Sequence, residues 1–416
     1  MANIFPRVIV LRVLLLVFVL IAGCTNQSQE PEFTWERSPG EDVEPNTLLV
    51  REASNGAVAG EIDLRVDPEV IPLDHVVEHP EWLSVLEKSD GGTVWGVASS
   101  GGSWITFETH RDSLSNVHRS EFLLPEIVEQ PYVVESENGD FRLVRKPNLD
   151  LETQWTLDQF NNQPDGITVI EDDNPTDLLV AYADPTERYP HGALGDRVEW
   201  SSLVVGPIEG GRVPGRYFLN DDEVFEGLFP LVSDLNGDGM PEIVTTVSNA
   251  KSGARVVVFS YEDDQLEILA ESAPVGSGFR WLHQIAVAQF TAKGVSEIAV
   301  VQTPHIGGVA KFFRLVGDRL ELVASNSGGY MSHRNGSRNL DQAVAGDFDQ
   351  DGKIELLVPS RDQKSLIALK RVGHGVDEAW VIDLGSRLAT NIVAVEVGGA
   401  LQVAMVTQNS ELLIWR

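Results

Sequence analysis

The chain has 416 residues and carries 31 Lys and Arg against 63 Asp and Glu, a formal net charge of −32. With 42% hydrophobic and 23% charged residues, it has a globular composition and is long enough to bury a large core. Such an acidic chain argues against binding to a phosphate backbone or broad adhesion to anionic lipid. Its single cysteine, Cys24, excludes an intramolecular disulfide.

The first element in the chain is a leader. Arg7 and Arg12 are the only charges before Glu30, and Val13 to Ala22 is an unbroken apolar run that ends at Gly23-Cys24. A basic start, a short apolar stretch and small residues before a cleavage point form a secretory signal, too short for a comfortable membrane span. Leu20-Ile21-Ala22-Gly23-Cys24 resembles the lipobox of bacterial lipoproteins. That resemblance implies that residues 1–23 are removed and that Cys24 is lipidated as the first mature residue. The alternative is an uncleaved anchor with an incidental cysteine. An exported protein avoids free thiols, which fits a lone cysteine consumed by lipid. Residues 24–47, the cysteine and a polar, acidic, proline-interrupted stretch, read as a flexible tether reaching about 75 Å when stretched. Thr25 stands where an Asp commonly marks inner-membrane retention in that family, so the resemblance implies an outer-membrane lipoprotein of the bacterial cell envelope, periplasmic or surface-exposed.

From residue 48 to 416 no long helical period is found. Apolar runs of four to seven residues, rich in Val and Ile and broken by Gly, Asp, Asn and Pro, predict short strands. In order they include Thr93–Ala98 paired with Ser103–Thr109, then Ile243–Val247, Arg255–Tyr261, Gln265–Glu271, Ile298–Val301, Leu356–Val358, Val403–Thr407 and Glu411–Trp415. The acidic residues Glu242, Glu297 and Glu355 each open a strand and are 55 and 58 residues apart. Weaker copies start near Asp177 and Gln402. Four antiparallel strands per repeat of this length predict an all-β chain, a β-propeller of about seven four-stranded blades over 48–416, with the repeats clearest at 165–416. The last strand is expected to pair with a segment near Leu48–Arg51.

Two repeats carry acidic loops. Asp234, Asn236 and Asp238 alternate and are followed by Gly239 and Glu242; Asp347, Asp349 and Asp351 alternate and are followed by Gly352 and Glu355. Alternating oxygen donors let a tight loop wrap a hard cation, with glycine at the sharp turn. An EF-hand would need Glu at the twelfth place, where these loops have Thr245 and Val358, and a strand follows instead of a helix. The alternative is a solvated Asp/Asn/Gly turn.

The pattern resembles the FG-GAP, or VCBS, repeat of integrin-α-like propellers, well over 228–262 and 340–370, fairly over 284–316 and weakly elsewhere. The resemblance implies two structural Ca²⁺ sites: Asp234, Asn236, Asp238, the Met240 carbonyl and Glu242, and Asp347, Asp349, Asp351, the Lys353 carbonyl and Glu355. Glu at the ninth place departs from the commoner Asp. The middle copy has Gln289, Thr291 and Lys293 at the first, third and fifth places. There Lys293 is expected to replace the ion by pairing with Glu297.

If these hairpins join first and second strands, the loops between second and third strands, and from fourth strands to the next first, share the opposite face. They carry Arg280, Trp281 and His283, then Tyr330, His333, Arg334 and Arg338, then Arg387, with Tyr189, His191 and His305 nearby. Arg offers paired donors to carboxylate or phosphate, and aromatic rings stack on sugars. This face is a candidate site for a protein, glycan or small anionic ligand. The alternative is that Trp281 and Tyr330 fill a central channel and the arginines pair with acids. No nucleophile, metalloprotease or phosphate-loop motif occurs. The reading is therefore a calcium-stabilised binding or scaffolding protein that meets a membrane only through its lipid. A calcium-dependent propeller hydrolase or lyase acting on an anionic glycan or phosphorylated substrate is the alternative.

Overall fold

The computed structural model describes residues 46–49, 57–72, 83–87, 93–98, 105–108, 132–137, 140–145, 152–156, 162–170, 178–195, 197–207, 215–337, 340–389, 391–397, 400–409 and 411–415. The leader, Cys24 and most of the tether lie outside them, as does Arg338. The regular elements among these residues are all strands, so the chain is all-β.

The strands group into antiparallel units that follow one another along the chain. One unit joins Leu231–Ser233, Glu242–Ser248, Arg255–Glu262 and Gln265–Glu271. The next joins Leu282–Ala288, Glu297–Gln302, Gly308–Val316 and Arg319–Tyr330. A third joins Val344–Asp347, Glu355–Pro359, Ser365–Val372 and Gly375–Asp383. In each, neighbours in sequence are neighbours in the sheet.

Composition explains the order of burial. Glu242–Ser248 and Leu282–Ala288 are buried along their whole length, whereas Gln265–Glu271 buries Leu266 and Ala270 and exposes Gln265, Glu267 and Ile268. Second strands with both faces covered read as continuous apolar runs, and outer strands alternate. The apolar clusters lie between successive units. Val256 and Val258 pack with Trp281, Ile298 and Val300, while Ala299, Val301 and Phe312 pack with Leu356, Val358 and Leu369. Each unit thus buries a face against the next.

The ends of the chain meet differently from expectation. Glu411–Trp415 pairs with Glu69–Pro72, with Leu412 opposite Ile71 and Leu413 opposite Val70, not with the segment near Leu48. Strand Asn46–Leu49 instead pairs with Tyr132–Glu137. Strand Ala57–Glu61 adds in parallel to the edge of Val344–Asp347. The Thr93–Ala98 hairpin partner is present as Ile105–Glu108.

Candidate cation loops and the aromatic–histidine cluster

The three loops 234–242, 289–297 and 347–355 each connect the first and second strands of a unit. Their sixth residues, Gly239, Gly294 and Gly352, have φ of 89°, 80° and 79°, a left-handed conformation that a side chain disfavours. In all three the first residue's side chain accepts the amide of that glycine: Asp234 at 3.0 Å, Gln289 at 2.8 Å and Asp347 at 2.9 Å. The ninth residue folds back in the two acidic loops, where Glu242 accepts from the Leu235 amide at 2.7 Å and Glu355 from the Phe348 amide at 2.9 Å. The three loops lie side by side around a cavity of about 590 Å³, which Asp234, Gln289, Lys293, Ser296 and Lys353 help to line.

Asp347, Asp349, Asp351 and Glu355 bring their oxygens within 4.8 Å of one another, a group able to hold a metal ion. What gathers them is Lys370 on the following strand. Its Nζ lies 3.1 Å from Asp349 Oδ2, 2.8 Å from Asp351 Oδ2 and 2.7 Å from Glu355 Oε1. Trp380 Nε1 also donates to Asp349 at 3.0 Å. Burial disfavours the lysine's charge, but its bonds to Asp351, Glu355 and Asp349 hold its pKa above the ordinary range. Burial pushes Glu355 up to about 7 despite the lysine.

Among the described residues, no cation pairs with the acids of loop 234–242. Asn236 Nδ2 donates to Asp238 at 2.9 Å and to Glu242 at 2.7 Å. Glu242 is buried, and its pKa is raised first by that burial and then by the charges of Asp238 and Asp234. Three carboxylates without a counter-ion repel one another. The donor set, two Asp, one Asn and one Glu in hard oxygen chemistry, fits a calcium ion.

The middle loop corrects an expectation. Lys293 is exposed and does not pair with Glu297. Glu297 is instead fully buried between two arginines. Arg371 of the next unit donates Nε to Oε2 at 2.9 Å and Nη2 to Oε1 at 3.3 Å, while Arg314 donates to Oε1 at 2.5 Å. A lysine on a surface loop keeps its hydration, whereas planar guanidinium groups match a buried carboxylate with two parallel bonds.

At the other end of the units, the loops gather much of the expected constellation. Ring centroids run in a chain: Trp281 to His333 at 5.2 Å, His333 to His305 at 5.7 Å, His305 to His191 at 5.4 Å, and His191 to Phe279 at 5.5 Å. His283 stacks near Trp281 at 5.0 Å and bonds Ser332 at 2.9 Å. The structure places part of this chain inside and part at the surface: Trp281, His283 and His333 are buried, His305 and His191 half-buried, and Phe279 exposed. The segment 187–198 packs onto them. Ala193 and Leu194 join the Trp281 cluster, and the Gly336 amide donates to the Ala193 carbonyl at 2.8 Å. Burial lowers His333 to about 3 and His305 to about 4, so both rings are neutral.

Of the other expected face residues, Arg280, Arg334 and Arg387 are exposed. Tyr330 is buried elsewhere, among Ala310, Phe312 and Ala324, and its hydroxyl donates to Glu378 at 2.7 Å. Several participants were not anticipated. Glu226, fully buried, receives His191 Nδ1 and the Ser248 hydroxyl, and Lys370, Trp380 and Arg371 come from strands outside the loop motif. The position opposite the loop glutamate would have found Lys370, which faces Glu355, and also Arg314, which Ile298 opposite Phe313 sets beside Glu297.

No protein-family model matches the chain, and no curated protein matches it. Among solved structures, the crystal structure of BBS1N in complex with ARL6DN, soaked with mercury, is similar with a TM-score of 0.41 and 12% identity, over 86% of this chain and 93% of that one. At that score the likeness is too slight to assign a fold or a function.

Proposed function

We propose that the chain is a calcium-stabilised β-propeller of seven sheets, exported and lipid-anchored at Cys24, that binds or scaffolds a partner in a bacterial envelope. The observation that carries the calcium reading is loop 234–242, where Asp234, Asp238 and the buried Glu242 share a tight hairpin between first and second strands. Support for the propeller lies in successive antiparallel units packed face to face and in the pairing of the last strand with an early one. Beside the three units above, counting 162–207, 393–415 with 69–72, 83–108, and 46–49 with 132–156 gives seven.

The ion's role here is structural. It would neutralise clustered carboxylates and fix a tight hairpin at the rim. At the opposite end Arg280 and Arg334 remain exposed around a buried aromatic and histidine floor, a surface suited to a small anion or an acidic sugar.

Calcium removal tests the core of this reading. A free ion at about 100 times its Kd adds about 2.7 kcal/mol to the native state. Excess chelator should therefore lower the melting temperature of the full chain in detergent, and Asp238→Ala should abolish most of that response. An unchanged melting curve in chelator sinks the structural-calcium reading. Anchoring is tested separately: Cys24→Ser should lose metabolic labelling by palmitate, and equal labelling of the variant would refute the lipobox.

A further inference from the structure

The strand position that faces each loop glutamate differs among the three units. Ile243 lies opposite Phe259, which sets Ser260 against Glu242; Ile298 lies opposite Phe313, which sets Arg314 against Glu297; and Glu355 lies directly opposite Lys370. One position thus carries a neutral hydroxyl, a guanidinium and an ammonium. The state of each loop follows it. Where the residue is Arg314, the acidic donors of the loop are gone and arginines hold the remaining glutamate. Where it is Ser260, the acids are present and, among the described residues, Asn236 rather than a cation bonds them. Where it is Lys370, the acids are present and three of the four already pair with an ammonium of the chain.

The third case conflicts with a simple calcium site. A single Nζ touches three of the four acidic side chains, at 2.7 to 3.1 Å, and the lysine is only 9% exposed. An ion at the centre of those oxygens and this ammonium would claim the same space. Two like charges at that separation, out of water, repel strongly. Asp349 is further committed, since Trp380 Nε1 donates to the same Oδ2 that Lys370 approaches.

We propose that Lys370 is the resident cation of loop 347–355, tethered to the fold, so that only loop 234–242 depends on dissolved calcium and loop 347–355 binds it far more weakly. The inference rests on the calcium reading of these loops and refines it: one site is metal-filled and its neighbour is filled by the chain. The two loops border the same cavity, so the rim keeps part of its shape when calcium is withdrawn.

The test uses the full chain in detergent, with Ca²⁺ added alone and its binding followed by titration calorimetry and by melting temperature. The wild type should bind one equivalent tightly; Asp238→Ala should remove it and Asp351→Ala should leave it. On the Asp238→Ala background, Lys370→Ser, which copies Ser260, should restore a calcium-dependent melting shift and tighten binding at loop 347–355 on the order of tenfold or more. Adding Asp351→Ala should abolish that gain. Lys370→Gln, of similar length but uncharged, makes the same comparison if the serine variant does not fold. Two results overturn the proposal: a tight equivalent in Asp238→Ala that disappears with Asp351→Ala while Lys370 is present, or no gain in binding for either Lys370 variant. Failure of the calcium reading itself shows elsewhere, as a wild type indifferent to calcium at loop 234–242.

Discussion

Arg371→Met should be among the most damaging single substitutions in this protein, costing about 3–5 kcal/mol, the usual effect of removing one partner from a buried ion pair. The side chains of Arg371 and Glu297 are 1% and 0% exposed, so water cannot screen the loss. Arg371 also donates to the Gly373 and Gly375 carbonyls and lies 5.5 Å over the Phe312 ring. Methionine fills some of that volume but satisfies none of those acceptors. Arg314 alone would face a carboxylate that now lacks its two-pronged partner. Denaturant unfolding of the single variants and of Glu297→Gln with Arg371→Met provides the check. The double variant should lose less than the two single losses summed, because it leaves no buried carboxylate short of a partner and the remaining Arg314 is partly exposed to water. A single-variant loss below about 1 kcal/mol would show that the pair is dispensable.

Trp281→Ala should cost about 3–5 kcal/mol, the range for emptying an aromatic site in a packed core. Trp281 is fully buried among Leu228, Phe229, Leu282 and Leu340, and its indole Nε1 donates to the Glu226 carbonyl at 3.3 Å. Its removal opens a cavity beside His333 and leaves that carbonyl without this donor. Trp281→Phe should cost less, because it keeps most of the apolar contact. The measurement is again the unfolding midpoint. A Trp281→Ala protein of wild-type stability would return the residue to the exposed ligand-face role that sequence alone suggested.

These two cases show what a linear reading reaches. The strands were legible because short runs rich in Val and Ile, such as Ile243-Val244 and Val247 within Glu242–Ser248, recur between stretches of Gly, Asp and Asn. The loop geometry was legible because a left-handed glycine must occupy the sixth place, and it does in all three loops. The neutralising cations were not legible. Lys370 and Arg371 are adjacent in sequence, yet one turns to its own loop and the other crosses to Glu297, 74 residues away. Period-two alternation along a strand separates them, and only the sheet register says which acid each one meets. The gathering of Trp281, His305 and His333 was read from loop position alone, but their burial depends on segment 187–198, whose path over them leaves no periodic trace.

The pairing of Glu69–Pro72 with Glu411–Trp415 carries a consequence for how the protein is made. The Trp415 indole also donates to the Val66 carbonyl at 2.9 Å, 349 positions back along the chain. At about 5–20 residues per second, the ribosome delivers the late strand roughly 20–70 s after the early one. Throughout that interval the early strand has an open edge whose intended neighbour does not yet exist, and any other exposed edge is a competing template. The clasp is therefore the last joint to close and among the slowest to form, since its partners must meet across nearly the whole polypeptide. A chain that loses Glu411–Trp415 leaves the Glu69–Pro72 edge without this partner and cannot fasten there.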